Sequence, residues 1–483
     1  MSVLIGSFLV EEQSACEVID QLKTENRNIH KLTPNEIRAA FSLAGIFSLR
    51  MLGLFLILPV FAIYAEQLAG VTPLLIGVAI GAYGLTQAIF QVPFGMLSDR
   101  IGRKPVIISG LLVFAAGSAV AASSDTIWGV VLGRALQGSG AIAAAVMALA
   151  ADLTREQNRT KAMAVIGMSI GLAFAVSLVL GPLLNKWIGV QGIFWLTAIL
   201  ALLGVLVTLF LVPDPLKTVS HRDAGAVSDQ FARVLRDGDL VRLDLGILLL
   251  HMMLTAVFIA VPLTLRDVIG ISVDHHWMIY LPVVLLAIIF MVPFVVIAEK
   301  RRKIKPIFLL AILSIAIAQL CFILLKGSML GFGFGLLLFF TAFNLLEATL
   351  PSLISKTAPA ESKGTAMGIY STSQFLGAFL GGLAGGWVYS QFGLEGVFLF
   401  GSATALVWLV IASGMSKPSY LSAYLIQVGV MDQDKAALLQ AELQQIEGVG
   451  EVVVMADEGV AYLKVDTQYV DFGILDEFSV AET

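Results

Sequence analysis

Apolar residues fill most of this chain in long stretches that are separated by short polar connections. A helix needs about 20 mostly apolar residues to cross a bilayer, and twelve stretches reach that length. They lie at 40–63, 74–97, 105–123, 127–151, 162–185, 192–212, 243–265, 277–298, 306–325, 329–354, 365–389 and 394–415. A soluble helical protein would not repeat such runs, so the pattern predicts an all-α membrane protein with twelve transmembrane helices.

The longest polar connection follows the sixth run and divides the membrane part into two six-helix halves. Thr33 as N-cap, Pro34 as the first helical residue and Glu36 as the acid of a capping box mark the start of the first helix. The predicted units are a cytoplasmic N-terminal tail at 1–32, six-helix halves at 33–212 and 242–415, a cytoplasmic central loop at 213–241 and a soluble domain at 416–483.

The two halves also echo each other in sequence. Pro93 precedes Asp99 in the loop after the second run, and Pro293 precedes Glu299 in the loop after the eighth. Two halves related as parallel repeats are typical of transporters in which the substrate path runs between them.

The composition excludes several classes of protein. Hydrophobic residues make up 58% and charged residues 13%, and the mean hydropathy is +0.90. A soluble chain is about 25% charged, so most of this surface must face lipid. The net charge of −5 argues against a nucleic-acid partner. Cys16 and Cys321 lie far apart, and we predict neither a disulfide framework nor a metal site or cofactor.

The distribution of basic residues predicts the orientation in the membrane. One set of loops is rich in lysine and arginine, as at 100–104 and 300–305, whereas the opposite loops hold only Lys186, Arg266 and Lys326. We therefore expect a multi-pass protein of the bacterial inner membrane with the basic loops and both termini in the cytoplasm.

The loop between the second and third runs combines glycines with opposite charges. Gly95 permits a close helix approach, and Gly102 permits a tight turn. Asp99 suits a helix N-terminus, and Arg103, which follows Arg100, offers a bidentate partner to a carboxylate. This pattern favours a conformational switch over an incidental charged loop.

Several polar residues lie inside the apolar runs, where ionisable groups are costly and usually functional. Arg134 lies about 12 Å into the fourth run, and His251 and Glu347 are candidate proton sites because both side chains bind and release protons. Three alternative interpretations stay open. Glu347 could be a gate residue, His251 could be a packing residue, and Arg50 could pair with an acid across the bundle. The predicted lining of a wet substrate cavity is Arg50, Tyr83, Gln87, Gln91, Gln137, Asn344, Tyr370 and Gln374.

The segment after 416 is soluble in character. A strand at 420–428, a helix at 432–446, strands at 449–455 and 461–465 and a second helix near 468–478 follow one another. The order β-α-β-β-α predicts a small ferredoxin-like domain. It has no paired cysteines, so we expect a regulatory or oligomerising module, which includes self-association of the chain, rather than a metal carrier.

These motifs together resemble those of the major facilitator superfamily. The loop from Gly95 to Lys104 resembles its signature loop, and the stretch around Arg134 resembles its fourth-helix motif. Gly181 and Pro182 resemble the end of the motif found in drug/proton antiporters, although Ser177 departs from it. The resemblance implies the major facilitator fold and a conformational role for Asp99, Arg103 and, at the end of the fourth helix, Asp152. It implies a proton-coupling or switching role for Arg134.

The leading functional hypothesis is a proton-driven exporter of small organic solutes or drugs. The alternatives are a proton-coupled importer of a sugar or other metabolite and, from a different class, a membrane sensor that signals through its C-terminal domain. An enzyme is not expected, because the sequence offers no nucleophile–base pair and no set of metal ligands.

Overall fold

The computed structural model describes residues 32–214, 231–359, 362–416, 421–457, 459–466 and 468–479. The predicted N-terminal tail, apart from residue 32, and residues 215–230 of the predicted central loop lie outside them. The first half contains α1 (Pro34–Phe55), α2 (Leu58–Ala65), α3 (Pro73–Ile101), α4 (Arg103–Ala122), α5 (Ile127–Ser139), α6 (Ala143–Asp152) and α7 (Glu156–Phe210). The second half contains α8 (Gly238–Asp267), α9 (Trp277–Lys300), α10 (Ile304–Leu324), α11 (Met329–Thr357) and α12 (Lys363–Ser413).

Ten helical segments among the described residues are long and apolar enough to cross a bilayer. Two of them, Lys161–Phe210 and Lys363–Ser413, each cover two of the predicted runs. Gly189 in α7 and Gly393 in α12 have non-helical backbones with φ of 65° and 69°. Both glycines lie between two predicted spans, where one is expected to end and the next to begin. Glycine suits such a turn because it adopts a positive φ without strain.

Two predicted spans are interrupted, which the apolar pattern did not predict. The first run is divided between α1 and α2, and the fourth is divided between α5 and α6 near Gly140. The predicted start of α1 is confirmed, since Thr33 Oγ1 accepts from the Glu36 amide at 3.2 Å and Glu36 Oε2 accepts from the Thr33 amide at 2.8 Å. Glu36 also accepts from Arg155 Nε at 3.0 Å, so the start of α1 is tied to the start of α7.

The helix α12 joins the two halves, because it packs between α3 of the first half and α8 of the second. Glycines allow both approaches: a Cβ on Gly382 would lie 2.2 Å from the carbonyl oxygen of Gly77, and a Cβ on Gly381 would lie 2.2 Å from that of Met252. Small residues that let backbones touch are typical of membrane helix packing.

The two ends of the bundle differ in how the halves meet, and we name them the Arg103 end and the Arg266 end. At the Arg266 end, Arg266 of α8 donates to Glu66, next to α2, through Nη1 at 2.6 Å and Nη2 at 3.1 Å. Deeper in, the ring of Phe174 in the first half lies 6.3 Å from Phe258 and 6.0 Å from Phe343 in the second. These contacts close the seam between the halves on the Arg266 side.

The soluble domain holds a three-stranded antiparallel sheet with strand order β1-β3-β2. Its strands are β1 (Ser422–Gln427), β2 (Val449–Met455) and β3 (Val460–Val465), and its helices are α13 (Gln433–Leu443) and α14 (Phe472–Asp476). Leu443, Leu463 and Leu475 are buried in its own small apolar core. The predicted order of three strands and two helices is present, and β3 lies between β1 and β2 in the sheet.

Candidate functional site

Two hydrogen-bonded networks fill the interior of the first half, and the first begins at Arg50. Its Nη2 donates to Gln87 Oε1 at 2.7 Å and to the carbonyl of Gly140 at 2.9 Å. Gln87 Nε2 in turn donates to Gln91 Oε1 at 2.7 Å. At the break between α5 and α6, the Gly140 carbonyl accepts from the Ile142 amide at 3.0 Å as well as from Arg50. The possibility that Arg50 pairs with an acid is wrong for this structure.

The second network begins at Arg134 and lies beside the first. Arg134 Nη1 donates to Gln137 Oε1 at 2.7 Å, and Gln137 Nε2 donates to Ser118 Oγ at 2.7 Å. The Tyr83 ring stands by both arginines, 5.7 Å from the Arg50 guanidinium carbon and 5.3 Å from that of Arg134. Tyr83 also packs edge-on against Phe375 of α12 at 6.1 Å, so the arginines border the seam between the halves.

The second half brings His251, Gln374 and Glu347 together from three different helices. Gln374 Nε2 lies 2.9 Å from His251 Nε2 and donates to Glu347 Oε1 at 3.2 Å. Glu347 Oε2 lies 3.9 Å from His251 Nε2 and is buried without a hydrogen-bond partner. We call this group the His251 cluster.

The His251 cluster lies on the Arg103 side of the aromatic closure. Phe340, which contacts Phe174 at 6.1 Å, precedes Glu347 by two helical turns and is nearer the Arg266 end of α11. Phe343 contacts His251 directly, with ring centres 5.9 Å apart. The rings therefore separate the cluster from the Arg266 end, while Glu347 keeps 38% of its side chain exposed.

Asp244 is a further candidate that the sequence analysis missed. It is buried in α8, and its Oδ1 has no hydrogen-bond partner among the described residues. The available signal was an acid at the second position of an apolar run, seven residues before His251. Asn344 of the predicted cavity is partly buried, one turn from Glu347.

The signature loop forms a compact charged turn at the Arg103 end. Gly102 has φ of 97°, and it connects α3 directly to α4. Arg103 forms an ion pair with Asp99, bonds to Asp152 Oδ2 through Nε at 3.1 Å and donates to Ser98 Oγ at 2.7 Å. Arg103 therefore connects the loop to the end of α6. A Cβ on Gly95 would lie 3.2 Å from the Cβ of Ala144, whereas Arg100 is exposed.

The corresponding loop of the second half contacts the soluble domain. Glu299 accepts from Lys356 Nζ at 2.9 Å, which parallels the Asp152–Arg103 contact with the charges reversed. Arg302, at φ of 53°, pairs with Asp466 and lies 5.5 Å from the ring centre of Tyr469. The soluble domain is thus docked on the loop that repeats the signature loop.

We expect Asp466→Asn to loosen this docking. The Arg302 guanidinium lowers the pKa of Asp466 below its usual value near 4. The contribution of the ion pair is thus fully present above about pH 4 and is lost only as pH falls through the lowered pKa. The wild type should dock equally from pH 5 to 8, whereas the variant should exchange backbone hydrogens in the 301–304 loop up to about fivefold faster.

Hydrogen–deuterium exchange with mass spectrometry measures this change. Asp434→Asn, an exposed acid on α13 away from the contact, is the matched control and should leave exchange in the loop unaltered. Equal exchange in the Asp466 variant and the wild type would show that the ion pair does not hold the domain.

The Gly-Pro element of α7 packs against the interruption between α1 and α2. A Cβ on Gly181 would lie 2.4 Å from the carbonyl oxygen of Leu56, and Pro182 follows inside the helix. Ser177, the departure from the antiporter pattern, donates to the carbonyl of Leu52 at 3.3 Å. The polar substitution therefore serves the same helix contact.

The whole bundle matches a known family by sequence. The family model for the Major Facilitator Superfamily matches residues 43–382 and 345–420. The chain belongs to the major facilitator superfamily. It is therefore a membrane transporter of small molecules and not an enzyme.

Two curated relatives and one solved structure illustrate the similarity. The inner membrane transport protein YajR of Escherichia coli K12 is 50% identical over 91% of this chain and 97% of its own length. The multidrug resistance protein MdtH of Yersinia enterocolitica is 26% identical over 70% of this chain and 84% of its own. The crystal structure of the human organic anion transporter MFSD10 shares the fold, with a TM-score of 0.60 and 21% identity over 79% of this chain and 100% of that one.

Proposed function

We propose that this chain is a proton-driven exporter of small organic solutes that works by alternating access in the bacterial inner membrane. The observation that carries the proposal is the His251 cluster, in which a carboxyl and an imidazole meet inside apolar helices beside the seam. The names of two relatives, an inner membrane transport protein and a multidrug resistance protein, support the location and the export of drug-like solutes.

The proposed topology has twelve crossings, because α7 and α12 each turn at a glycine. The basic Arg103 end and both termini then lie in the cytoplasm, in line with the positive-inside rule. The proposed units keep the predicted boundaries of 1–32, 33–212, 213–241, 242–415 and 416–483. The last unit is a ferredoxin-like module that regulates transport or mediates self-association, and its docking beside Arg302 supports regulation.

In the proposed cycle, Glu347 and His251 carry the proton, and Arg134 links the first half to the same seam. Gly181 and Pro182 fix α7 against the broken first span. The residues Gly95, Asp99, Arg100, Gly102, Arg103 and Asp152 form the switch at the Arg103 end. When this end closes, Asp99 is proposed to accept hydrogen bonds from the first amides of α12, near Gly364.

We expect Asp99→Asn to shift the resting population toward the conformer that is open at the Arg103 end. One charge–dipole contact contributes about 0.3–1 kcal/mol, and up to about 2 kcal/mol when partly buried, so the shift should be several-fold. Arg103 also bonds to Asp152 and Ser98, so the variant should keep these contacts and stay folded.

Spin labels at Gln67→Cys and Asp274→Cys measure this shift by double electron–electron resonance, in a background without Cys16 and Cys321. The two positions belong to opposite halves and line one cavity of about 500 Å³ at the Arg266 end. The short-distance population should grow in Asp99→Asn and stay constant in the control Asp125→Asn. An unchanged distribution together with full transport would remove Asp99 from the switch.

Transport in proteoliposomes under an imposed pH gradient tests the function itself. Antiport moves solute against the proton flow, so substrates from a panel of organic compounds should accumulate on the acidic side and collapse the gradient. Accumulation on the alkaline side would instead identify the proton-coupled importer. Solute movement that ignores the gradient would contradict proton coupling.

A further inference from the structure

The interior of the first half contains two arginines and no acid. Arg50 and Arg134 are 0% and 2% exposed. The acids of this half lie at or beyond the ends of its membrane segments, and they are Glu36, Glu66, Asp99, Asp125, Asp152 and Glu156. The interior of the second half has the opposite sign, since it holds Asp244 and Glu347 and no arginine or lysine among its apolar runs.

The hydrogen-bonding capacity of Arg50 is not filled by the protein. Nε and Nη1 of Arg50, and the hydroxyl of Tyr83 beside them, are buried without a partner among the described residues. A buried guanidinium without a counter-charge is strongly unfavourable, and unpaired donors add to that cost. The site therefore lacks an acceptor that carries negative charge.

Aromatic rings surround the same place. The Arg50 guanidinium carbon lies 5.3 Å from the ring centre of Phe114 as well as near Tyr83, and Tyr83 reaches Phe375 across the seam. Mostly apolar surroundings with a few convergent polar groups are typical of the sites that bind small organic ligands. The ligand that fits has one anionic group and a flat apolar body.

Glu347 is the competing partner for the arginines, because it faces the seam from the other half. In this structure Gln374 holds its carboxylate, and the next residue, Phe375, packs on Tyr83. The carboxylate is thus engaged on the far side of the aromatic contact. This arrangement leaves the arginine side for a ligand and the acidic side for the proton.

We propose that Arg50 and Tyr83, with Arg134 beside them, bind the anionic group of a small aromatic carboxylate. The proposal rests on the proposed function, since it names the class of solute that the transporter carries. Charge-assisted hydrogen bonds from Arg50 Nε and Nη1 to the carboxylate would give these two buried donors the acceptors that they lack.

The thermal unfolding midpoint of the purified protein, followed by tryptophan fluorescence, tests this with three isosteric probes. Benzoate should raise the midpoint in a saturable way, whereas neutral benzamide and cationic benzylamine should not. Arg50→Gln should weaken the apparent benzoate affinity by about tenfold or more, the loss expected for a charge-assisted hydrogen bond. Lys326→Gln, an exposed lysine paired with Glu395 at the Arg266 end, is the charge-matched control and should behave like the wild type.

Two further measurements keep the outcomes separate. If Arg50→Gln unfolds, Arg50→Lys, which keeps the charge but loses the bidentate geometry, should bind benzoate more weakly than the wild type. No stabilisation by benzoate, equal stabilisation by benzamide, or preference for benzylamine would each overturn the proposal. Proton-driven export of only neutral or cationic solutes would refute the proposed substrate class and leave the proposed export function standing. Specific benzoate binding without proton coupling would support the substrate class and refute the proton-driven exporter.

Discussion

Glu347→Gln is expected to abolish the coupling of solute movement to a pH gradient while leaving the protein folded. Glutamine has the shape of protonated glutamate and can still accept the hydrogen bond that Gln374 donates to Oε1 at 3.2 Å. It cannot release a proton. The variant should therefore exchange solute for solute across the membrane but should not accumulate it.

The hydrogen bonds of the His251 cluster are the reason that we expect Glu347 to be the residue that changes charge. The amide nitrogen of Gln374 has two hydrogens, one for Glu347 Oε1 and one for His251 Nε2 at 2.9 Å. His251 Nε2 must then accept, so the proton of the neutral imidazole sits on Nδ1, which lies 3.3 Å from the Ile247 carbonyl. The unpartnered Oε2 of Glu347 is the site left to take a proton.

The magnitude of the effect is set by the gradient. One pH unit is worth about 1.4 kcal/mol per proton, or a tenfold concentration ratio of solute. Wild-type vesicles should approach that ratio per exchanged proton, and Glu347→Gln vesicles should stay near unity. His251→Ala should lower coupling as well, and the exposed acid of Glu395→Gln, at the Arg266 end, serves as the control. Undiminished accumulation in both cluster variants would exclude these residues as the proton site.

The apolar pattern predicted where the spans lie because burial in lipid selects for long apolar runs. Gly189 and Gly393, where α7 and α12 leave helical geometry, fall in the gaps between predicted runs, although the pattern did not single out these two residues. It did not predict the interruptions after Phe55 and near Gly140. A break inside an apolar run leaves the composition unchanged, and the Gly140 carbonyl at one break accepts both from the Ile142 amide and from Arg50 of another helix.

The candidate site was predictable one helix at a time. The Tyr83–Gln87–Gln91 stripe follows from helical spacing, and the Gln87–Gln91 bond is present. The partners across helices were not predictable, because nothing in the sequence places Arg50 against Gln87 or Gln374 between His251 and Glu347. The docking of Asp466 on Arg302 likewise depends on how the soluble domain sits on the bundle.

Gly382→Ala is expected to favour opening of the Arg266 end by about fivefold to a hundredfold. The new Cβ would lie 2.2 Å from the Gly77 carbonyl oxygen and 3.0 Å from Gly81 Cα. Both are backbone atoms and cannot rotate away, so α3 and α12 must separate. Overpacking of this kind costs about 1–3 kcal/mol, and about 1.4 kcal/mol is a tenfold change in a two-state population.

The neighbouring glycines provide matched controls for this contact. Gly381→Ala places a Cβ 2.2 Å from the Met252 carbonyl oxygen inside the second half, so it should lower the unfolding temperature without biasing one end. Gly368 has no atom within 4 Å of its Cβ position, and Gly368→Ala should be neutral. In the spin-label assay at Gln67 and Asp274, Gly382→Ala should lengthen the distance, whereas the two control variants should not. Gly382→Ala should also reduce transport. Because Gly77 and Gly382 belong to opposite halves, the same change at Gly77 should reproduce the result. A wild-type distance distribution in both variants would mean that the halves do not rock about this glycine contact.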